Sequence, residues 1–312
     1  MSFATPAFLV GCPRSGTTWL QLLLSRHPAV ATCQETHLFG VYIRRLEIAW
    51  KREKERSVSG RRPIGLSGLL AEDEFYALCA EFSKTIFHKI AETKQGAWIV
   101  VEKTPNHLRH ADLILRLFPN AYFLHIVRDP RSVVASLQHA GRTWGKQWAP
   151  ADVASGARRW VRDVRSGREI AVATDRYLEV RYESLLEDGP SALGQILAFL
   201  GLTVEPDACR RAVEACRIDK LRDGSVARQQ PWDLSVEPEG FFRRGNARSW
   251  VSELTRREVA TVEYIAGDLM RELGYEPKVA STRRKPLSLV VHDTAGWLRE
   301  RVRWRLAAMK GT

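Results

Sequence analysis

No apolar stretch in this 312-residue chain approaches the ~18–20 residues a bilayer span requires. The N-terminal apolar run, Phe8–Val10, is too short for the core of a signal peptide. A membrane anchor and a secretory leader are therefore not expected, and the cytoplasm is the expected compartment. Cysteine is sparse: positions 12, 33, 79, 209 and 216 are odd in number and show no C-x-x-C spacing. That argues for reduced thiols and against a zinc site or a disulfide framework. Internal repeats and low-complexity tracts are also missing, which excludes solenoids and biased-composition scaffolds. Acidic residues are outnumbered, 36 Asp/Glu against 48 Lys/Arg, for a net charge of +12. Eight of those basic residues lie in 281–312 beside only Asp293 and Glu300, so half of the excess sits in the last tenth of the chain. The remaining excess suits an anionic nucleotide or an acidic acceptor. Nucleic acid is not an expected partner, because no nucleic-acid-binding motif accompanies the charge.

The chain does have the length and the 45% hydrophobic content for one large core. Strand-like runs (7–10, 30–32, 98–102, 121–127, 177–181) alternate with helix-like ones (17–27, 72–93, 107–118, 130–140, 151–174, 190–200, 208–215, 255–273). Such alternation predicts an α/β fold: a single domain whose central, mainly parallel sheet is flanked by helices. The domain is expected over 1–278. Residues 279–312 are expected to form a basic amphipathic extension with a helix over 294–309, for which a membrane surface, a second subunit or its own domain all stay open as partners. Residues 51–68 and 219–249, rich in charge, glycine and proline, read as long loops.

The most informative segment is Phe8-Leu-Val-Gly-Cys-Pro-Arg-Ser-Gly-Thr-Thr-Trp19. An apolar strand breaks into a Gly/Pro turn and passes at once into a helix, whose free N–H groups and positive dipole end favour an anion. Gly11 and Gly16 have P-loop spacing, but Thr17 stands where the P-loop lysine belongs, and the basic residue is Arg14, inside the loop. This loop resembles the 5′-phosphosulfate loop of sulfotransferases that use 3′-phosphoadenosine 5′-phosphosulfate (PAPS), a P-loop NTPase-like fold.

Three further segments carry the resemblance, in family order. Arg128-Asp-Pro-Arg-Ser-Val-Val-Ala-Ser136 is similar to the family's 3′-phosphate element, which implies Arg128 and Ser136 as 3′-phosphate ligands; a guanidinium offers phosphate a planar fork of donors. Val180-Arg-Tyr182-Glu-Ser-Leu looks like the strand end near the adenine and 3′-phosphate. Phe241-Phe-Arg243-Arg244-Gly245, with Trp250 beyond, resembles the late segment that closes over the 3′-phosphate. The implied donor-binding set is Arg14, Ser15, Gly16, Thr17, Thr18, Trp19, Arg128, Ser136, Tyr182, Arg243, Arg244 and Gly245, with PAPS as donor, PAP as product and no metal. Trp19 would stack on adenine or simply fill the core.

Sulfuryl transfer resembles phosphoryl transfer in its in-line, loose transition state, and positioned cations and N–H groups can stabilise it. Arg14 is one such cation; Lys103, after the 98–102 strand, is expected to be the second, acting on the departing oxygen, unless it merely pairs with Glu102. A hydroxyl acceptor needs a general base. Cytosolic sulfotransferases carry a histidine two residues beyond this lysine, where the present chain has Pro105. Glu35, 21 residues after Arg14 and following His27-Pro28, instead resembles the glutamate base of tyrosylprotein sulfotransferases. Glu35 is the expected base and His107 the reserve. The expected acceptor is a small-molecule, carbohydrate or peptide hydroxyl, with a carbohydrate or other hydroxylated metabolite favoured. Trp144, Trp148 and Trp232 are aromatic faces suited either to sugar stacking or to core packing. A P-loop kinase or NTPase, disfavoured by Thr17, and a non-catalytic nucleotide- or polyanion-binding scaffold are the alternatives.

Overall fold

The computed structural model describes residues 4–58, 65–223, 237–243 and 245–279. Five strands form one parallel sheet: β1 (Thr5–Gly11), β2 (Val30–Thr32), β3 (Ile99–Glu102), β4 (Tyr122–Val127) and β5 (Tyr177–Arg181), in the order β2-β3-β1-β4-β5. The helices in the first half are α1 (Thr17–Leu24), α2 (Arg44–Val58), α3 (Glu72–Glu92), α4 (Ala111–Leu117), α5 (Pro130–Arg142) and α6 (Val153–Ala173). Those that follow are α7 (Tyr182–Glu187), α8 (Gly189–Phe199), α9 (Pro206–Ala215), α10 (Ile218–Arg222), α11 (Trp250–Glu253) and α12 (Arg256–Glu272).

The described residues group into two compact units, one over 1–128 with 163–247 and one over 129–162 with 248–312. The first contains the sheet. Because strand side chains alternate between faces, Ala7 and Leu9 of β1 join one core with α1, α7, α8 and α9, while Phe8 and Val10 join another with α2, α3 and α4. Both faces are covered, so the strands read as continuous apolar runs, the pattern of a buried parallel sheet. On one face His125 of β4 donates to or accepts from the Tyr177 hydroxyl at 2.7 Å. A Cβ at Gly167 would lie 2.3 Å from its ring, so only glycine fits there.

The second unit is organised by Arg131. Its guanidinium pairs with Asp129 (2.8 Å) and Glu263 (2.7 Å) and lies 4.2 Å from the Trp250 ring centre. Asp129 also caps α5 by accepting from the Arg131 N–H, and Pro130 occupies the first turn where its missing N–H costs nothing. Asp129 is thus spent on Arg131. A Thr255/Glu258 capping box opens α12. Trp144 and Trp148 lie beyond the end of α5, their rings 5.6 Å apart and tilted by 49°.

Three expectations need correction. The stretch read as loop over 219–249 begins as helix, in α10. Residues 51–58 are not loop but the continuation of α2, which is anchored by a buried side in its first half. There Trp50 stacks on Phe75 at 4.8 Å, and the buried Glu47 accepts from Tyr76 Oη and Lys51, both at 2.8 Å. The helix expected over 107–118 is a 3₁₀ turn (Pro105–His110) followed by α4, because His107 is drawn inward to Glu102. Trp232, Arg244 and the helix expected over 294–309 lie outside the described residues, as does nearly all of the extension 279–312. Among the described residues no helix is long and apolar enough to cross a membrane.

Candidate active site

In a parallel sheet every strand ends at the same edge, and ligands of open α/β sheets bind outside that edge where the strand order reverses. Here that edge collects the loop after β1, Cys33–His37 after β2, Lys103–His110 after β3, Arg128 after β4 and Tyr182 after β5.

The loop after β1 is bent for an anion. Arg14 holds a left-handed φ of 76° and Gly16 a φ of 105°. Gly16 precedes α1 with no side-chain cap, so the first N–H groups of the helix are left for a ligand. A Cβ at Gly16 would approach Tyr182 to 2.5 Å, so the glycine lets the loop lie on that ring. Ser15 Oγ is fully buried with no hydrogen-bond partner among the described residues, as expected of a hydroxyl kept for an oxyanion. Thr17 and Thr18 are buried at the helix start. The residues present therefore fit a phosphosulfate group.

Arginines converge around this loop. Arg128 donates to the Arg14 carbonyl (3.3 Å) and to the Asn246 carbonyl (3.0 Å), and its guanidinium lies 4.0 Å over Tyr182. Arg14 donates to the Phe241 carbonyl at 2.6 Å and lies 4.1 Å over the Phe241 ring, so residues 237–243 cover it. Although part of Arg14 remains open to solvent, its guanidinium is crowded by protein. That burial, with Arg128 and Arg243 nearby, pushes it down to about 10, against an opposing pull from Glu237 and Glu35. Three guanidiniums within reach of one another are a standing cost that a bound anion relieves. Trp19 packs edge-on against Tyr182 at 5.4 Å and donates Nε1–H to the Cys216 carbonyl at 3.0 Å. Gly245 has φ 59°. Ser136 is carried by α5 in the second unit.

Lys103 Nζ donates to Glu35 Oε1 at 2.8 Å, and His37 Nε2 lies 3.8 Å from Glu35 Oε2. Lys103 is buried to 4% exposure and does not pair with Glu102. Glu102 has a different task. It is fully buried, and its Oε1 accepts from Thr36 N (3.2 Å), Thr36 Oγ1 (2.7 Å) and Thr104 Oγ1 (2.6 Å). It thereby ties the segment carrying Glu35 to the segment carrying Lys103. Its Oε2 lies 2.8 Å from His107 Nδ1, off the ideal hydrogen-bond line, and neither atom has another partner among the described residues. Burial alone would raise the Glu102 carboxyl, but His107 and the Thr104 and Thr36 hydroxyls outweigh it and leave it at about 2. Phe39 N–H donates to His107 Nε2 at 3.3 Å and Nδ1 faces the buried Glu102 carboxylate, so the imidazole is turned into the interior at 1% exposure. His107 is therefore not placed as the reserve base.

Glu237 was not anticipated. Burial raises its carboxyl, offset in part by Lys103 and Arg14, so it shares the field of the catalytic candidates. No motif marks it, and only the return of residues 237–243 to the loop reveals it. Cys33, beside Glu35, is pushed up to about 12 by burial and by Glu102, so it is an inert thiol. None of the five cysteines forms a disulfide. Gln21 of α1 donates to Thr32 Oγ1 (2.8 Å) and to the Cys33 carbonyl (2.5 Å), anchoring the approach to Glu35.

A model of the sulfotransferase family covers residues 6–206. The chain is 28% identical to nodulation protein NoeE of Sinorhizobium fredii, over 88% of this chain and 67% of that protein. It is 29% identical to protein-tyrosine sulfotransferase 2 of Gallus gallus, over 92% of this chain and 74% of that protein. Among solved structures, mouse sulfotransferase SULT7A1 complexed with PAP superposes with a TM-score of 0.58 at 17% identity, over 89% of each chain. The sulfotransferase domain of the Synechococcus PCC 7002 olefin synthase superposes at 0.55 and 21% identity, over 88% of this chain and 97% of that one. At such identities the structures speak to the fold.

Proposed function

The chain belongs to the sulfotransferase family and takes its sulfuryl group from PAPS, and on that premise we propose that Glu35 is the general base for a hydroxyl acceptor. The observation that carries this reading is the 2.8 Å contact between Glu35 and Lys103, beside the Arg14 loop. Ser15, the N–H groups opening α1 and Arg14 would hold the phosphosulfate. Arg128, with Tyr182 beneath it, Arg243 and Gly245, would hold the 3′-phosphate, to which Ser136 and Arg244 contribute by the motif resemblance.

The acceptor oxygen attacks sulfur in line as its proton passes to the Glu35 carboxylate. A new O–S bond forms, the bond from sulfur to the bridging oxygen breaks, and that oxygen leaves on PAP with the electron pair. Glu35 and Lys103 are coupled in a useful direction. A proton arriving on Glu35 cancels the charge that holds Lys103, which frees the ammonium to stabilise the departing oxygen. Arg14, Lys103 and the loop N–H groups then supply the transition-state charge without a metal.

The test is Glu35→Gln, assayed with labelled donor. Turnover should fall by about 10²–10⁴ while PAP affinity is retained; unaltered turnover would remove Glu35 from the role. PAP should also raise the melting temperature well above the effect of adenosine 5′-phosphate, and equal shifts would remove the 3′-phosphate site. The favoured acceptor is a carbohydrate or other hydroxylated metabolite, a reading supported by the polar surroundings of Glu35. The relatives named protein-tyrosine sulfotransferase favour a second reading, a peptide tyrosine.

A further inference from the structure

A pocket of about 210 Å³ opens beside Glu35, beyond the ends of β2 and β3. The residues after β2 contribute His37, Gly40 and Val41; the 3₁₀ turn after β3 contributes Asn106, Arg109 and His110. The donor loop, Arg128 and Tyr182 follow β1, β4 and β5, so this pocket flanks the Glu35–Lys103 pair on the other half of the sheet edge. His37 stands at the junction. Its left-handed φ of 51° is uncommon for a residue other than glycine. Its N–H donates to Thr104 Oγ1 at 3.3 Å, and its ring lines the pocket while Nε2 lies 3.8 Å from Glu35.

The lining mixes apolar and polar surface, and its charges are spent. Arg109 pairs with the fully buried Asp163 at 2.5 Å. His110 faces Arg44 Nε through Nδ1 at 3.5 Å, and burial and that arginine push it down to about 4, so it is neutral. His107, in the wall, is occupied by Glu102 and Phe39. Val41 stands in the lining beside Thr104 and Asn106, a mixture suited to the apolar face and the hydroxyl edge of a sugar ring. The volume falls below the ~300–1,000 Å³ of sites for drug-sized ligands, so it admits one ring and not a chain.

We propose that this pocket is the acceptor subsite and that it takes a single neutral, polyhydroxylated ring, the terminal sugar of a glycoside, with one hydroxyl presented past His37 to Glu35. The proposal rests on the sulfotransferase reading with Glu35 as base. Gly40 supplies the test, because a Cβ there would lie 3.1 Å from His110 Nε2 and larger side chains would fill the pocket.

Wild type, Gly40→Val and Asn106→Ala are assayed with labelled PAPS against methyl hexopyranosides, the matching hexuronosides, and an acidic tyrosine peptide. PAP-induced thermal shift is read in parallel. Expected are transfer to neutral hexopyranosides, at least tenfold lower kcat/KM for the hexuronosides, and an acceptor KM raised about tenfold or more by Gly40→Val. Asn106→Ala should raise that KM in the same direction, so the test survives if Gly40→Val fails to fold, and the PAP shift should be unchanged in both variants. Transfer to the peptide with none to any neutral sugar would overturn the subsite's assigned chemistry, as would acceptor KM values unmoved by both variants. Loss of the PAP response in the wild type would instead remove the sulfotransferase reading beneath it.

Discussion

Replacing Glu102 by glutamine tests whether the active site is held together from below. The amide oxygen can still accept from Thr36 and Thr104, but its NH₂ then faces His107 Nδ1, which carries the ring proton because Phe39 N–H points at Nε2. Shifting that proton to Nε2 only moves the conflict to Phe39. In either tautomer one buried donor meets another, and an unmade buried hydrogen bond costs about 1–3 kcal/mol. At roughly 2–4 °C per kcal/mol for chains of about 150–250 residues, melting should drop measurably. The kinetic effect should be larger, because Glu102 spans the segments that carry Glu35 and Lys103, and an error of about 1 Å in such a pair costs about 10²-fold. Thermal melts and single-turnover sulfuryl transfer, with PAP affinity as control, make the measurement. Thr36→Val should slow transfer in the wild type and add little in the Glu102→Gln background. Wild-type melting and turnover in Glu102→Gln would refute the reasoning, and so would strict additivity with Thr36→Val.

Gly16→Ala should destabilise the fold by about 2–6 kcal/mol and abolish PAP binding. The left-handed φ of 105° and a Cβ 2.5 Å from Tyr182 add backbone strain to overpacking, and calorimetry with and without PAP reads both. Burial holds His110 and His125 down to about 4 from 6.5, so the unfolded chain takes up protons first as pH falls. Their contribution to stability is complete above about pH 6.5 and is lost towards pH 4. That of Glu102, lowered from 4.5 to about 2, is complete above pH 4.5 and lost below it. Urea titrations across pH should show unfolding free energy declining through both windows, and a flat profile would contradict the burial of these groups. EDTA should leave turnover intact, since the expected charge comes from Arg14, Lys103 and backbone N–H groups; strict Mg²⁺ dependence would revive the kinase alternative.

What the amino-acid order determined by itself is local. Short apolar runs between helix-like segments specified the strands, with β2 and β5 read to the residue. The Gly11-to-Gly16 turn specified an anion loop, and Thr17 in place of lysine narrowed its chemistry. Those signals lie within a few residues and need no partner. The α2 helix escaped because its first requirement is tertiary: Glu47 and Trp50 become core residues only once Tyr76 and Phe75 arrive from α3. The site shows the same division. Glu35 and Lys103 were legible as separate motif positions, but their contact spans 68 residues and exists because β2 pairs with β3. The clamp at Glu102, the removal of His107 from the base role and the cover of Arg14 by Phe241, 227 residues away, were invisible to any local pattern. An ion pair or a buried hydrogen bond depends on which strands are neighbours and which polar groups lose their water. Strand order and burial are properties of the assembled sheet, so the tertiary structure alone decided how the chemical groups were paired.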